Sequence, residues 1–480
     1  MTHNLTKGNI YRNILLFSLP IIVGLIIQQL YNLVDSVIVG HFIGEDGIAA
    51  IGTTAAINFL IVALGTGTTG GFAIVIAQKF GARDYPGVKK SVGNAITLAI
   101  ILCAILTVVA LSSTRNLLNL LNVPDDIFAW SYDYITWIYI GIFSIVGYNL
   151  ITSILRALGN SVTPLIFLAI ASGINVGLDI LFVGVFTMGV GGAALATVIS
   201  QTLSGIGSYI YAFIRYPILR VTFKELILEK KEAMHQLANG LPMGLQFSII
   251  SIGIVAIQSV INSFAVPNDN SIITAFATSA RIESIIIIPF WGLGAAMSAY
   301  MGQNFGARNQ EGIVKGLKIA KHLAFGLAVL CAAILMPLGP LMVNLFIKEP
   351  SVNLMMYSRL YFWMIPPFYI SVGLILIYRN TLQGLGDSTF ALIGGILELV
   401  LRVAVAYGLA PVIGYYAVFL SNPITWTITA AFFIWRYHFL IKDKIKKQYF
   451  LEPILTSLWL AFYVSIADSR KKQSKEHLSN

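Results

Sequence analysis

The sequence predicts an all-α integral membrane protein with twelve transmembrane helices, arranged as two parallel six-helix repeats around a central cleft. Three observations predict this fold: an apolar composition, twelve long apolar runs, and short motifs that recur in the two halves. Hydrophobic residues make up 57% of the 480 residues and charged residues only 11%. Because a soluble domain carries about 25% charged residues, this chain has too few polar side chains to cover a water-exposed surface.

The apolar runs are long enough to cross a bilayer, which takes about 20 residues of helix. They are continuously apolar rather than alternating, which favours helices over a β-barrel. They fall near residues 14–39, 49–77, 91–112, 128–152, 163–184, 190–214, 236–264, 272–300, 316–338, 353–378, 388–410 and 412–438.

The basic residues sort to one side of this topology. If the N-terminus is cytoplasmic, only Arg115, Lys348 and Arg359 fall outside, Arg281 and Arg402 fall within the membrane, and all the other Lys and Arg fall inside. This positive-inside pattern predicts a multi-pass protein of the cell membrane with a cytoplasmic N-terminus. The topology therefore explains the net charge of +10, and no nucleic-acid partner is expected.

The chain divides into three predicted regions. Residues 1–222 form an N-terminal six-helix lobe and residues 223–448 a C-terminal six-helix lobe. Residues 449–467 are apolar, but spanning would place the basic residues that follow them on the outer side. We therefore predict that 449–480 comprises an interfacial apolar segment and a charged tail.

Short motifs recur at corresponding places in the two halves. The pairs are Leu-Pro at 19–20 and 241–242, Gln-Lys-Phe-Gly-Ala-Arg at 78–83 with Gln-Asn-Phe-Gly-Ala-Arg at 303–308, and Leu-Arg-Ala-Leu-Gly-Asn-Ser at 155–161 with Leu-Gln-Gly-Leu-Gly-Asp-Ser at 382–388. Because each half holds an even number of spans, the halves share one orientation. Some secondary transporters follow this parallel-repeat plan, with the substrate path between the halves.

These motifs, with the stretch Gln-Gln-Leu-Tyr-Asn-Leu-Val-Asp at 28–35, resemble the multidrug and toxic compound extrusion (MATE) family. The resemblance covers about residues 1–445 and is nearest to the branch of DNA-damage-inducible and Gram-positive drug exporters. It implies twelve helices in two lobes, and the export of amphipathic, often cationic compounds in exchange for protons or sodium ions.

Four acidic residues lie deep in the predicted spans: Asp35, Asp179, Glu283 and Glu398. A charged side chain at that depth costs at least ~2.5–3.5 kcal/mol, so each is a functional candidate. Asp35 and Asp179 fall in one lobe at similar depth. Two neighbouring carboxyls with little water favour binding a proton and titrate as a unit, which suits proton-coupled export.

The resemblance adds residues to this pair. Related exporters have a proton-linked cluster formed by an acidic residue late in the first helix and by Asn-x-x-x-Asp on the fifth. The corresponding residues here are Asp35, Asn175 and Asp179. Thr197 matches a threonine of that cluster, and Pro20 matches a proline at which the first helix bends, so we predict a hinge there.

Other side chains are candidates for the cluster or for the substrate path. Methionine-rich surfaces adapt to varied apolar ligands, although ordinary helix packing is the favoured alternative for these methionines. The candidates are Gln28, Tyr31 and Asn32 on the first span, Tyr139, Tyr148, Asn149 and Thr152 on the fourth, and Met297 and Met301 at the eighth.

The second half carries different charges. Glu398 and Arg402 stand where the first half has Asn175 and Asp179, and their i, i+4 spacing allows them to pair. Arg281 and Glu283 add one charge of each sign on the eighth span. Proton coupling is therefore expected in the first lobe, with a sodium site at Glu283 or Glu398 as an open alternative.

The sequence thus predicts a secondary active antiporter for amphipathic compounds, driven by protons or sodium ions and acting as a monomer among membrane lipids. No P-loop or catalytic motif is visible, so we expect neither ATP use nor an enzyme activity, and no metal or other cofactor.

Two alternatives remain open. A flippase for lipid-linked precursors needs uncompensated Arg or Lys in its cavity, whereas Arg281 and Arg402 have candidate acidic partners. A receptor or a non-transporting scaffold does not account for the deep Asp pair or for the duplicated halves.

Overall fold

The computed structural model describes residues 4–121, 123–264 and 269–440, which are almost entirely helical and contain no β-strand. The predicted interfacial segment at 449–467 lies outside these residues. The helices are α1 (Ile10–Phe42), α2 (Glu45–Gly81), α3 (Tyr85–Leu120), α4 (Asp125–Ile140), α5 (Ile142–Ala157), α6 (Val162–Asp179), α7 (Gly189–Arg215), α8 (Phe223–Leu226), α9 (Lys230–Asn262), α10 (Ser271–Ile286), α11 (Ile288–Gly306), α12 (Gln310–Met342), α13 (Val352–Met364), α14 (Tyr369–Gly384), α15 (Ser388–Ile413) and α16 (Tyr416–Leu440).

The helices agree with the predicted membrane architecture. Within the described ranges, nine continuous stretches are long and apolar enough to cross a membrane, and two bent helix pairs raise that number to eleven. The pairs are α4 with α5, bent by 45°, and α10 with α11, bent by 43°. The 33-residue helix α9 stands in the place of the seventh predicted span, so a count of twelve is consistent with the structure.

Each bend has a local cause in the sequence. Pro289 lies in the first turn of α11, where its missing N–H interrupts the hydrogen-bond ladder that would continue α10. Gly141 separates α4 from α5, and a Cβ at this position would overlap the side chain of Val198 on α7. The glycine therefore lets α7 pack directly against the bend.

The chain divides into two compact units between Ile434 and Trp435. The larger unit contains the described helices from α1 into α16, and only Trp435–Leu440 of the second unit is described. Division into lobes at residue 222 stays a prediction.

The repeated Gln-x-Phe-Gly-Ala-Arg motifs connect the two halves. The Gln78 side-chain amide donates a hydrogen bond to the Gly384 carbonyl at 3.0 Å, and the Gln303 amide donates to the Ala157 carbonyl at 2.8 Å. Each glutamine thus holds the end of the fourth span in the opposite half. We call these four residues the interlobe latch.

The rest of the motif explains how the halves approach so closely. A Cβ on Gly81 would overlap the backbone of Gln303, and one on Gly306 would overlap the backbone of Gln78. Both motifs end in an arginine with a left-handed backbone, at φ 59° for Arg83 and φ 55° for Arg308. The motif therefore recurs because the same close contact is built twice.

The charged segment that joins the halves is fixed against α3. It contains α8, whose first turn is closed by a capping box between Thr222 and Glu225. The Thr97 hydroxyl donates to the Leu226 carbonyl at 2.7 Å, and the Glu229 amide donates to Asn94 at 2.9 Å.

Candidate functional site: an acidic pair and a central cavity

Helices α1 and α6 pack together and bring Asp35 and Asp179 side by side, as the sequence predicted. Asp179 is fully buried and Asp35 is half-buried. Their carboxyl groups are close enough to interact directly. No hydrogen bond of ordinary geometry joins them, because both Asp179 oxygens lack a donor among the described residues. Within the same residues, no Lys or Arg forms an ion pair with either carboxyl.

Polar side chains from α1, α4, α6 and α7 surround this acidic pair. Asn175, one turn before Asp179, is buried and donates a hydrogen bond to the Thr197 hydroxyl at 3.4 Å. Tyr31 lies near both aspartates and near Gln201. Tyr134 of α4 approaches the same carboxyls. The predicted residues Asn175, Thr197 and Tyr31 therefore belong to one cluster.

Sequence reasoning missed Tyr134 and Gln201. A signal for Gln201 is visible, since Thr197, Gln201 and Ser204 are spaced i, i+4, i+7 and so form a polar stripe on one face of α7. Tyr134 has no comparable signal, because nothing in the sequence fixes the rotation of α4 before its bend at Gly141.

The backbone beside the pair is irregular. Helix α6 ends at Asp179 and continues as a π-helical segment, Ile180–Val185. Such wider turns are rare and occur mostly at functional sites. Asp179 thus stands at the point where the backbone changes from α-helical to π-helical hydrogen bonding.

Three predicted candidates have no described contact with the acidic pair. Gln28 and Asn32 are exposed on α1, and no side-chain hydrogen bond is described for either. Tyr139 is fully buried in the apolar core of the first half, and its hydroxyl lacks a partner among the described atoms. Tyr139 precedes the bend at Gly141, and there it faces the core.

The remaining fourth-span candidates lie after the bend, on α5. The Tyr148 hydroxyl donates to the Pro164 carbonyl at 3.2 Å and lies near Thr152, which is buried. Asn149 lines a central cavity. One side of α5 therefore faces α6, while Asn149 faces the space between the halves.

The second half confirms one predicted pairing and contradicts another. Glu398 and Arg402 are both buried and form an ion pair at 2.7 Å. Glu283 is also buried, but it accepts a hydrogen bond from the Tyr361 hydroxyl, while Arg281 is exposed. The expectation that Arg281 offsets Glu283 is wrong, because residues two apart point to different sides of a helix.

The central cavity has a volume of about 240 Å³ and is lined by both halves. Helices α2 and α5 form one side, and α9, α11 and α14 form the other. Its polar or charged lining residues are Thr66, Asn149, Ser153, Arg156, Ser298, Arg379, Asn380 and Gln383. No acidic side chain is among the described residues of this lining.

Two arginines in this lining are more buried than the predicted charge map implies. The sequence-based topology assigns Arg156 and Arg379 to the cytoplasmic loops. It assigns Arg281 and Arg402 to the interior of the membrane. Arg379 is instead buried at 4% exposure within α14, and Arg156 is half-buried within α5. Both helices continue past these arginines to the Leu-Gly-Asn/Asp-Ser turns.

An aromatic surface lies beside one of these arginines. The Arg379 guanidinium is 5.3 Å from the ring centre of Trp291. Trp291 stacks on Phe247, with ring centres 6.2 Å apart and an angle of 29° between the planes. All three side chains line the cavity.

The predicted methionines do not line this cavity. Met297 and Met301 are fully buried in helix packing, which agrees with the alternative of ordinary core residues. Met243 of α9 is the methionine in the described lining. No motif or spacing in the sequence distinguishes Met243 from the other methionines.

The predicted hinge lies in a helix that is continuous in this structure. Pro20 stands inside α1, which runs from Ile10 to Phe42. Two residues later, Ile22 packs so closely on Gly292 of α11 that a Cβ there would overlap it. The role of Pro20 as a hinge stays a prediction.

Comparisons with known proteins agree with this architecture. The MatE family profile matches residues 20–181 and 242–408, one segment in each half. The chain is 27% identical over 384 residues to a probable multidrug resistance protein of Bacillus subtilis, YpnP, covering 80% of this chain and 84% of that protein.

Two further matches cover more of the chain. A protein of Shewanella oneidensis named FAD transporter is 24% identical over 434 residues, covering 88% of this chain and 93% of that protein. The solved structure of a MOP superfamily transporter from Pyrococcus furiosus, described as having a binding pocket of reverse polarity, has a TM-score of 0.85 and 25% identity, covering 92% of this chain and 98% of that one.

Proposed function

We propose that this chain, which belongs to the MATE family of transporters, is a secondary active antiporter that exports amphipathic compounds in exchange for protons. The observation that carries the proposal is the pair of adjacent, unpaired carboxyls at Asp35 and Asp179. Their surroundings support an exchangeable proton rather than a permanent ion pair.

The geometry supports a simple proton cycle. Two adjacent carboxylates repel each other when both are ionised, and one proton between them replaces that repulsion with a hydrogen bond. Proton arrival therefore draws α1 and α6 together at Asp35 and Asp179, and proton loss pushes them apart. Because α1 also packs on α11 through Ile22, we propose that this movement bends α1 near Pro20.

The interlobe latch supports alternating access. In the proposed orientation, with a cytoplasmic N-terminus in the cell membrane, the latch closes the cytoplasmic end of the path between the halves. Opening toward the cytoplasm then requires breaking the bonds of Gln78 and Gln303. One chain contains both halves of this gate, which supports action as a monomer.

The available driving force is adequate for export. One proton moving down a one-unit pH gradient supplies ~1.4 kcal/mol, and a membrane potential of 100 mV adds ~2.3 kcal/mol per charge moved. One proton per cycle therefore supports a substrate gradient of about a few hundredfold.

Sodium coupling at Glu283 or Glu398 has weaker support. Glu398 is neutralised by Arg402, and Glu283 already accepts the Tyr361 hydroxyl. A lipid flippase needs basic residues in its cavity that no acidic residue neutralises, and Arg156 and Arg379 meet that requirement. The named relatives are nevertheless a probable multidrug resistance protein and a FAD transporter, so we propose a small-molecule substrate.

Transport in proteoliposomes with separately imposed pH and sodium gradients tests this proposal. A pH gradient alone is expected to drive accumulation of a fluorescent amphipathic compound, and Asp35→Asn or Asp179→Asn is expected to abolish it. Accumulation driven by sodium alone, or unchanged proton-driven transport in both variants, contradicts the proposal.

A further inference from the structure

We infer that the central cavity binds compounds that carry a negative group beside a flat aromatic ring. This inference rests on the proposed transport function and specifies its substrate class. It departs from the cationic substrates that the family resemblance implies.

The first argument is the charge of the cavity. Arg156 and Arg379 are permanently cationic side chains, and the described part of the lining offers no acidic residue to balance them. Neither arginine forms an ion pair with a described residue, and the Nε of Arg156 is buried without an acceptor. Glu398 lies near Arg379, but its carboxylate pairs with Arg402.

An uncompensated buried charge is costly, and an anion from outside the chain removes that cost. Guanidinium groups bind phosphate and carboxylate oxygens through paired, charge-assisted hydrogen bonds. Two of them in one cavity of about 240 Å³ favour an anion and disfavour a cation. The cavity therefore selects the sign of the ligand charge.

The second argument is the aromatic surface. The stacked rings of Trp291 and Phe247 stand beside Arg379. A flat aromatic ligand gains by stacking on such a surface, while its anionic group reaches a guanidinium. The adjacent cation and rings thus fit one ligand that carries both features.

The repeat shows that these arginines are not part of the duplicated scaffold. At the offset of the fourth-span motifs, Gln383 corresponds to Arg156 and Thr152 corresponds to Arg379. Each half contributes one arginine, at a turn where the other half has a neutral polar residue. A purely architectural role would be expected to recur at equivalent positions.

Three fluorescent probes test the inference on the purified, full-length protein in nanodiscs of phosphatidylcholine. They are riboflavin 5′-phosphate, riboflavin, which lacks only the phosphate, and ethidium, an aromatic cation. We expect the phosphate to bind about tenfold more tightly than riboflavin, with ethidium weakest. No phosphate preference, or tightest binding of ethidium, overturns the inference.

Variants of the cavity residues test which side chains cause the preference for riboflavin 5′-phosphate over riboflavin. Arg156→Gln and Arg379→Gln should each reduce the phosphate preference to about threefold or less, and Arg379→Lys should retain part of it. Trp291→Leu should weaken both flavins equally. Arg115→Gln removes an exposed arginine outside the cavity and serves as the control. An unchanged preference in both Arg→Gln variants overturns the inference.

Competition separates the ligand from simpler anions. Inorganic phosphate should displace riboflavin 5′-phosphate only at much higher concentration, because it cannot stack. Equal potency overturns the aromatic half of the inference. Displacement by phosphatidic acid added to the nanodisc assigns the site to a lipid and overturns a soluble ligand. Since these measurements use no gradient, failure of proton coupling leaves them intact.

Discussion

The two halves share one helical plan but handle charge at membrane depth in opposite ways. In the first half, Asp35 and Asp179 face each other with no described basic partner. In the second half, Glu398 is bound to Arg402 on the same helix. Duplication has kept the scaffold, as the latch shows, while the first half alone places two buried acidic side chains next to each other among the described residues.

This difference assigns separate tasks to the halves. A fixed ion pair keeps its charge through a transport cycle, so Glu398 and Arg402 provide a constant electrostatic environment in the second half. In the proposed mechanism, the unpaired carboxyls of the first half change charge with each proton, and that half is the one expected to move. Both halves then contribute an arginine to the cavity between them.

Replacing the buried acid of each half should separate these tasks most strongly. Asp179→Asn mimics a permanently protonated carboxyl, so proton-driven accumulation in proteoliposomes should be lost while substrate binding is retained. Glu283→Gln is the matched control, because it neutralises an equally buried acid of the second half. Equal loss in both variants would contradict the division between the halves.

Breaking the ion pair between Glu398 and Arg402 should lower the stability of the protein and leave proton coupling intact. Glu398→Gln removes the carboxylate that contacts the buried Arg402, which costs about 3–5 kcal/mol. Thermal unfolding in detergent should show this loss. The double variant Glu398→Leu with Arg402→Met should recover most of the stability and keep proton coupling. If the double variant unfolds as early as the single one, the pair does more than balance charge.

The latch should respond from both of its sides. Gln78→Leu and Gln303→Leu each leave one buried carbonyl without its donor, at about 1–3 kcal/mol, and Gln303→Leu also removes the acceptor of the Leu5 amide. Both should raise the labelling rate of a cysteine placed at Ser298 in the cavity, in a background without Cys103 and Cys331. Glu311→Gln, on an exposed turn, serves as the control. A large effect from only one glutamine would show that the halves do not close symmetrically.

The smallest effect is expected at the linker between the halves. Hydrogen bonds from Thr222 lower the pKa of Glu225 from its ordinary 4.5 to about 2. A lowered folded pKa means that this interaction stabilises the protein above pH 4.5 and is lost as the pH falls toward 2. Glu225→Gln should therefore flatten the pH dependence of unfolding in that range. An unchanged profile would show that the capping box is not maintained in solution.

The spans and the acidic pair were predictable for physical reasons. A bilayer imposes a minimum apolar length, so each span is visible as a run of residues. Asp35 and Asp179 interrupt such runs and are visible whatever the rotation of their helices. The pairing of Glu398 with Arg402 followed from spacing on one helix.

The cavity arginines were not predictable by the same argument. Counting by side treats a basic residue near a span end as part of a cytoplasmic loop, and this gives no sign that Arg156 and Arg379 line a buried cavity. A better signal was available, because the Leu-Gly-Asn/Asp-Ser turns mark the helix ends and both arginines precede them. Tyr134 and Tyr139 depended on the bend at Gly141, which no pattern in the sequence fixes.

Proton release on substrate binding tests the central claim most directly. Purified protein in weakly buffered solution, with a pH-sensitive dye, should release about one proton per substrate bound near neutral pH. Asp35→Asn with Asp179→Asn should abolish the release, while Glu283→Gln should leave it unchanged. Release that persists in the double variant and disappears in Glu283→Gln would contradict the account by moving the exchangeable proton to the second half.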